Sequence, residues 1–248
     1  MTIQFAQDAI PFIASSRNIL RSHGIEVTIG SNFERYSEII RSERKVQNLG
    51  APFNYELHDF TKTSAFWLIG RNEHGDLIHT QAAKIVPLGG KSLAGHLLRN
   101  FRHFPPPIPG VQLSQSRFRA TPGSHNIAGK VVYHGEVWMA PEEGRYRGVG
   151  LSTVLARTGL LEVLRRWDPD YIYGFMLRTV AFKGFAERMG YMHNEPGALK
   201  WAIAGRDKPI EAFLTWLGRE DARFLLDIPV EELVTEMPTT AVSASRSA

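Results

Sequence analysis

The sequence predicts an α/β protein built on a mixed, mostly antiparallel sheet of six to seven strands flanked by helices. Short apolar runs rich in β-branched and aromatic residues alternate with stretches of helical periodicity from Ile25 to Ala204. A polar turn containing Gly75, at residues 72–76, joins two of these runs as a hairpin. Residues 130–176 then read strand, glycine-rich loop, helix, strand. An antiparallel half made of a hairpin, followed by strand–helix–strand, gives a mixed sheet with helices on both faces.

Each element follows from local pattern. Residues 8–23 form a helix with Ile10, Ile13, Ile19 and Leu20 apolar, ending near Gly24, and 25–29 a short strand. A second helix starts at the Ser31/Asn32 cap and runs towards Leu49, with Gly50 as its stop. Strands follow at 65–70 and 77–86. Residues 87–128, which include Phe104-Pro-Pro-Pro-Ile-Pro-Gly, hold one helix at about 92–103. They read as an insertion over one face of the sheet, a common form for lids and binding loops. The strand at 130–139 feeds a helix at 149–167 whose apolar face is Leu151, Val154, Leu155, Leu160, Leu161 and Leu164. A strand at 171–176, a helix at 180–189 and a strand at 199–204 complete the sheet. Residues 209–226 have helical periodicity, so 206–236 is read as a C-terminal helix, and the small, polar tail 237–248 is expected to be disordered. The chain thus divides into an N-terminal helical segment (1–24), one domain (25–205, insertion about 87–128) and the C-terminal pieces.

Composition narrows the class. The 248 residues, 43 % hydrophobic and 22 % charged, are ordinary for a soluble domain with a substantial core. No apolar run reaches the roughly 18 residues of a membrane span, and the N-terminus lacks the basic and apolar regions of a signal peptide. There is no cysteine, which excludes disulfides, thiolate metal sites and a Cys nucleophile and makes a cytoplasmic setting the expectation. No His, Asp or Glu cluster has metal-ligand spacing, so no metal is expected. The net charge of +4 is unevenly placed: from Leu77 to Gly135 there is no acid, but there are Lys84, Lys91, Arg99, Arg102, Arg117, Arg119, Lys130 and five histidines. Such a region suits an anionic ligand. Phe101, Phe104 and Phe118 interleave with its arginines, but no nucleic-acid-binding module frames them.

The chemistry concentrates at the loop after the strand 130–139, Arg145-Tyr146-Arg147-Gly148-Val149-Gly150-Leu151-Ser152. Free backbone N–H groups and the positive dipole end at a helix start make an anion site. Gly148 and Gly150 permit close backbone approach, and Arg145 and Arg147 add positive charge. No Lys follows the glycines as in a P-loop, and Thr153 stands where a dinucleotide fingerprint has its third Gly. Arg145-x-x-Gly148-x-Gly150 after an apolar strand resembles the pyrophosphate-binding motif of the GNAT (N-acetyltransferase) superfamily, and Phe185-Ala-Glu-Arg-Met-Gly190-Tyr191 looks like that family's second signature. The resemblance covers about residues 25–205 and is most specific from 130 to 191.

It implies an acyl-CoA-dependent N-acyltransferase, with acetyl-CoA as first choice of co-substrate, a small-molecule amine as acceptor, and no metal, membrane or nucleic acid. The basic stretch suggests an anionic acceptor, and a homodimer is left open. Arg145 to Ser152 would hold the pyrophosphate, while Trp138 and Met139 would lie along the cofactor, with the Met139 N–H or a neighbour stabilising the oxyanion. His134, Glu136 and Trp138 share one face of the strand by alternation, and the resemblance places a Glu or His base at these positions, with Glu136 the first candidate and His134 the second. The family's usual Tyr acid falls on Ala186 and a frequent Asn on Thr179, so Tyr171, Tyr173 or Tyr191 could substitute only where geometry allows. Two other readings stay open. Arg41, Arg44, Val46, Leu49-Gly50, Glu56, Asp59 and residues 65–75 look distantly like acyl-homoserine-lactone synthases, which take acyl groups from acyl-carrier protein. The vacant Tyr position also fits a CoA-binding regulatory module without turnover.

Overall fold

The computed structural model describes residues 2–44, 47–141, 146 and 149–234, with backbone alone for 2–8. In chain order it contains α1 (Thr2–Ser22), β1 (Glu26–Gly30), α2 (Phe33–Glu43), β2 (Ala65–Arg71), β3 (Leu77–Val86), α3 (Leu93–Asn100), β4 (Val111–Phe118) and α4 (Pro122–Asn126). It continues with β5 (Val131–Met139), α5 (Leu151–Trp167), β6 (Tyr171–Leu177), α6 (Arg178–Ala181), α7 (Phe185–Met189), β7 (His193–Ile203), β8 (Ile210–Gly218) and α8 (Arg219–Leu226). A 3-10 turn follows at Val230–Leu233.

One sheet of eight strands runs β1-β2-β3-β5-β6-β8-β7-β4. Every neighbouring pair is antiparallel except β5 and β6, which are parallel and joined by the crossover helix α5. The alternation of β-strand side chains splits the core in two. Phe53, Trp67, Tyr133, Tyr173, Leu199 and Trp201 pack on the face carrying α2 and the insertion. Phe66, Val132, Ile172 and Phe213 pack under α5 with Leu160, Leu161 and Leu164.

Two strands, β8 and β4, lie outside the segments expected to form the sheet. The segment 206–236, read as a C-terminal helix, supplies β8 before the short α8. Ile210–Gly218 lies between β6 and β7, and Ala212, Phe213, Leu214, Thr215 and Leu217 are all buried. A strand covered on both faces loses its two-residue alternation, and Ile, Phe, Thr and Trp favour strands. β4 arises within the insertion as an edge strand, its ladder to β7 interrupted between Gln112 and Arg117. The predicted helix over 180–189 is two short pieces divided by Gly184, whose φ of 66° ends the first turn. α2 stops at Glu43 rather than near Leu49. The tail 237–248 lies outside the described residues. Among them, no helix is long and apolar enough to cross a membrane.

Candidate active site

The central feature is the parting of the two parallel strands. β5 and β6 pair only over Val131–Tyr133 and Tyr171–Tyr173. Beyond this β5 stays with β3 and β6 stays with β8, so the sheet opens. Gly174 stands at the narrowest point, where a Cβ would meet the His134 carbonyl oxygen at 2.8 Å and the Tyr191 hydroxyl at 3.0 Å. A cleft of about 440 Å³ runs through the opening, lined on its polar side by His134, Gly135, Glu136, Thr215 and Tyr191.

A β-bulge shapes the β5 wall. Ala82 pairs with Gly135 and Thr80 with Trp138, so Gln81 opposes two residues, Glu136 and Val137. Glu136 takes a φ of 57°, a left-handed conformation unusual for a non-glycine residue. The bulge ends the expected alternation. His134 and Glu136 point to opposite faces instead of sharing one.

On the α2 face, Glu136 is fully engaged. Arg44 Nη2 donates to its Oε2 at 2.6 Å, and the Gly50 N–H donates to its Oε1 at 2.8 Å. Arg44, itself buried, also donates to the carbonyls of Gln47 and Asn48 and to the Thr80 hydroxyl, which donates in turn to the Glu136 carbonyl at 2.9 Å. This network pins the end of α2 to the bulge.

On the α5 face a buried hydrogen-bonded chain begins. The Gln81 side-chain nitrogen donates to the Leu155 carbonyl at 2.6 Å, which turns its oxygen towards His134 Nε2 at 2.9 Å. His134 Nε2 therefore carries the ring proton, leaving Nδ1 to accept from the Tyr191 hydroxyl at 2.9 Å. Burial pushes His134 down to about 4 and His79, also against Gln81, to about 3, and it raises the Tyr191 phenol. Both imidazoles are thus neutral, and Tyr191 keeps its proton, near pH 7. Tyr191 was one of three tyrosines that geometry alone could select. Its place at the end of a short loop after Gly190, folded back so that its N–H meets the Ala186 carbonyl at 2.9 Å, brings it to the parting. Ala186, at the usual Tyr position, is buried beneath α5. The role of Gln81 was missed, because a Gln on a strand carries no sequence signal of its own.

The remaining predicted residues divide. Trp138 and Met139 continue β5 past the cleft, and Met139 packs with Leu20, Ile25, Ile78 and Leu151 rather than lining it. Arg145, Arg147 and Gly148 lie outside the described residues. Tyr146 is buried in the same cluster as Met139, with Val149 partly buried against it. Gly150 caps α5 at a φ of 84° and, having no side chain, gives that helix start no side-chain cap of its own. A Cβ there would collide with the Leu233 carbonyl oxygen, so the backbone approach this glycine permits is to the C-terminal 3-10 turn. Leu151 and Ser152 open the helix, Leu151 buried and Ser152 half-buried. The backbone N–H groups of this uncapped first turn are what an anion would use. None of the lysines and arginines of the acid-free stretch lines the cleft. Lys84 instead lies 5.7 to 5.8 Å from the rings of Phe53, Phe60 and Phe104, donates to the Pro52 carbonyl at 2.7 Å, and is lowered by burial to about 8. No group of three acidic or histidine side chains among the described residues could hold a metal.

An antiparallel half running β1-β2-β3, a parallel β5–β6 pair that parts in mid-sheet, and a crossover helix with an uncapped glycine start reproduce the order implied by the sequence resemblance. No family model and no curated protein matches the sequence. Solved structures to which the chain is similar include Arabidopsis thaliana NAA60 in complex with a bisubstrate analogue, at 15 % identity and a TM-score of 0.44 over 78 % of this chain and 98 % of that one. Another is a mutant form of the spermidine N-acetyltransferase SpeG from Vibrio cholerae, at 9 % identity and a TM-score of 0.44 over 81 % and 96 %. A third is an N-acetyltransferase from Staphylococcus aureus, at 12 % identity and a TM-score of 0.42 over 79 % and 98 %.

Proposed function

We propose that the protein is an acyl-CoA-dependent N-acyltransferase that moves an acyl group directly from a thioester to an amine. The observation that carries this reading is the hydroxyl of Tyr191, held by a neutral His134 at the point where β5 and β6 part. Direct transfer needs a positioned proton carrier, an N–H for the developing oxyanion, and an anion site that anchors the donor. The parted edge of β5 at the Glu136–Val137 bulge offers backbone N–H groups to the carbonyl oxygen. The uncapped start of α5, from Val149 to Ser152, offers N–H groups to a pyrophosphate.

In this mechanism the Tyr191 hydroxyl turns from its resting bond to His134 Nδ1 and gives its proton to the departing sulfur while its oxygen takes one from the attacking nitrogen, which returns to Nδ1 and leaves the phenol unchanged after turnover. His134 Nδ1 orients that hydroxyl, and Gln81 fixes the imidazole tautomer. Glu136, expected as the base, is assigned instead to holding the bulge, because both of its oxygens are engaged.

The test is a thiol-release assay with acetyl-CoA and longer acyl-CoA esters against a panel of amines, run beside Tyr191→Phe. Wild type should release thiol with at least one amine. The variant should lose about a hundred-fold in kcat while donor affinity, measured by calorimetry, stays within about twofold. Unchanged kcat in the variant removes Tyr191 from the reaction. Binding of CoA esters without release across the panel favours a regulatory module. Release only from an acylated carrier protein favours the second donor.

A further inference from the structure

We infer that the cleft is built for acyl chains well beyond acetyl, with the chain running through the parted strands into an aromatic chamber on the insertion side. This rests on the acyltransferase reading and adds the class of donor. The chamber lies past the neck formed by Gly174, His134 and Tyr191, on the face opposite α5. Its walls are Phe104, Ile108, Tyr133, Phe175, Leu199 and Trp201. Phe104, Tyr133 and Phe175 close a ring-on-ring triangle with centroids 5.3 to 6.4 Å apart, and Trp201 and Leu199 are almost wholly buried behind it.

Charge decides which substrate this space suits. Among the described lining residues the one charged side chain is Glu136, and its partners are Arg44 and the Gly50 N–H. An ammonium placed in the chamber would be stripped of water with no free carboxylate facing it, and a carboxylate would find no cation on the walls, the Lys84 ammonium lying against the Phe104 ring and donating to the Pro52 carbonyl. An alkyl chain meets only apolar and aromatic walls and gains from every methylene it buries. The apolar lining is also continuous. Met176, Val180, Phe185 and Met189 flank the α5 side of the neck, where a thioester laid along β5 would arrive. An acetyl group would reach the neck alone. Of the basic residues that had suggested an anionic acceptor, only the neutral His134 lines the cleft.

The measurement is calorimetric binding to the full chain of unreactive S-alkyl-CoA thioethers from ethyl to decyl, beside the same alkyl series on phosphopantetheine attached to a carrier protein. Affinity should rise about three- to fourfold per methylene until the chamber is full, and then level off. Ile108→Trp, a change at a half-buried residue of the insertion, should remove the gain for octyl and leave ethyl binding unchanged. Ile108→Ala should move the plateau to longer chains, and melting curves check that both variants fold. Ethyl binding with no gain for longer chains overturns the chamber and leaves the acyltransferase reading standing. Chain-length gain on the carrier protein alone keeps the chamber and removes CoA as donor. No binding in either series overturns both.

Discussion

Glu136 illustrates how a residue that attracts a catalytic assignment can be a structural clamp. On a regular strand it would share a face with His134, and a carboxylate in a cleft invites the role of base. The bulge turns it to the other side, where it meets the buried Arg44 guanidinium. Removing one partner of a buried ion pair leaves the other charge uncompensated, which costs about 3 to 5 kcal/mol. Glu136→Gln should therefore lower stability by roughly 3 kcal/mol in urea titration, because Gln keeps the Gly50 hydrogen bond but loses the charge facing Arg44. The pH–rate profile of the surviving folded protein should keep its shape. A shifted profile with stability intact would restore Glu136 as the base.

At the scale of elements, α5 does more than cross over between β5 and β6. Its Leu155 carbonyl orients Gln81, and its Gly159 leaves the space in which the Gln81 amide lies, since a Cβ there would occupy the position of that amide. Glycine inside a helix ordinarily costs up to about 1 kcal/mol relative to alanine, so its presence in mid-helix marks a packing need. Gly159→Ala should displace Gln81, release the His134 tautomer and reduce kcat about tenfold, and it should lower the melting temperature, because the buried partners Gln81 leaves behind cost more than the roughly 1 kcal/mol of helix propensity gained. Full activity in this variant would mean that Gln81 has no part in orienting His134. The insertion is anchored in a similar way. Glu195 on β7 accepts from the Thr121 hydroxyl at 2.6 Å and the Gly123 N–H at 2.7 Å, which fixes α4 against the sheet.

For the whole molecule, the buried neutral histidines set a pH dependence. His79 and His134 have their folded values depressed from 6.5 to about 3 and about 4, so between these values and 6.5 the unfolded chain binds more protons than the folded one. Their contribution is fully present above pH 6.5 and is lost as pH falls towards the folded values. Each should remove roughly 1.4 kcal/mol per pH unit over that window, so denaturant midpoints measured from about pH 7 to 5 should fall steadily. A flat profile would mean that these imidazoles are not buried in the folded protein.

Much of the fold was legible because it rests on local pattern. The hairpin, the strand leading into Arg145-x-x-Gly148-x-Gly150 and the apolar face of α5 follow from residue periodicity and turn chemistry, while the second signature ending at Gly190-Tyr191 was read from the family resemblance. β8 was read as helix because a strand buried on both faces has no alternation to read, and β4 went unread because an edge strand with an interrupted ladder gives a weak one. The site divides along the same line. By itself the sequence marked Arg145 to Ser152 as a candidate anion site and, through the resemblance, put Ala186 at the usual acid position. Only the tertiary structure decided that Tyr191 reaches His134, that Glu136 faces Arg44, and that the lysines and arginines of the acid-free stretch do not line the cleft. Those outcomes depend on a single bulge and on the parting of two strands, and both arise from contacts between residues far apart in the chain.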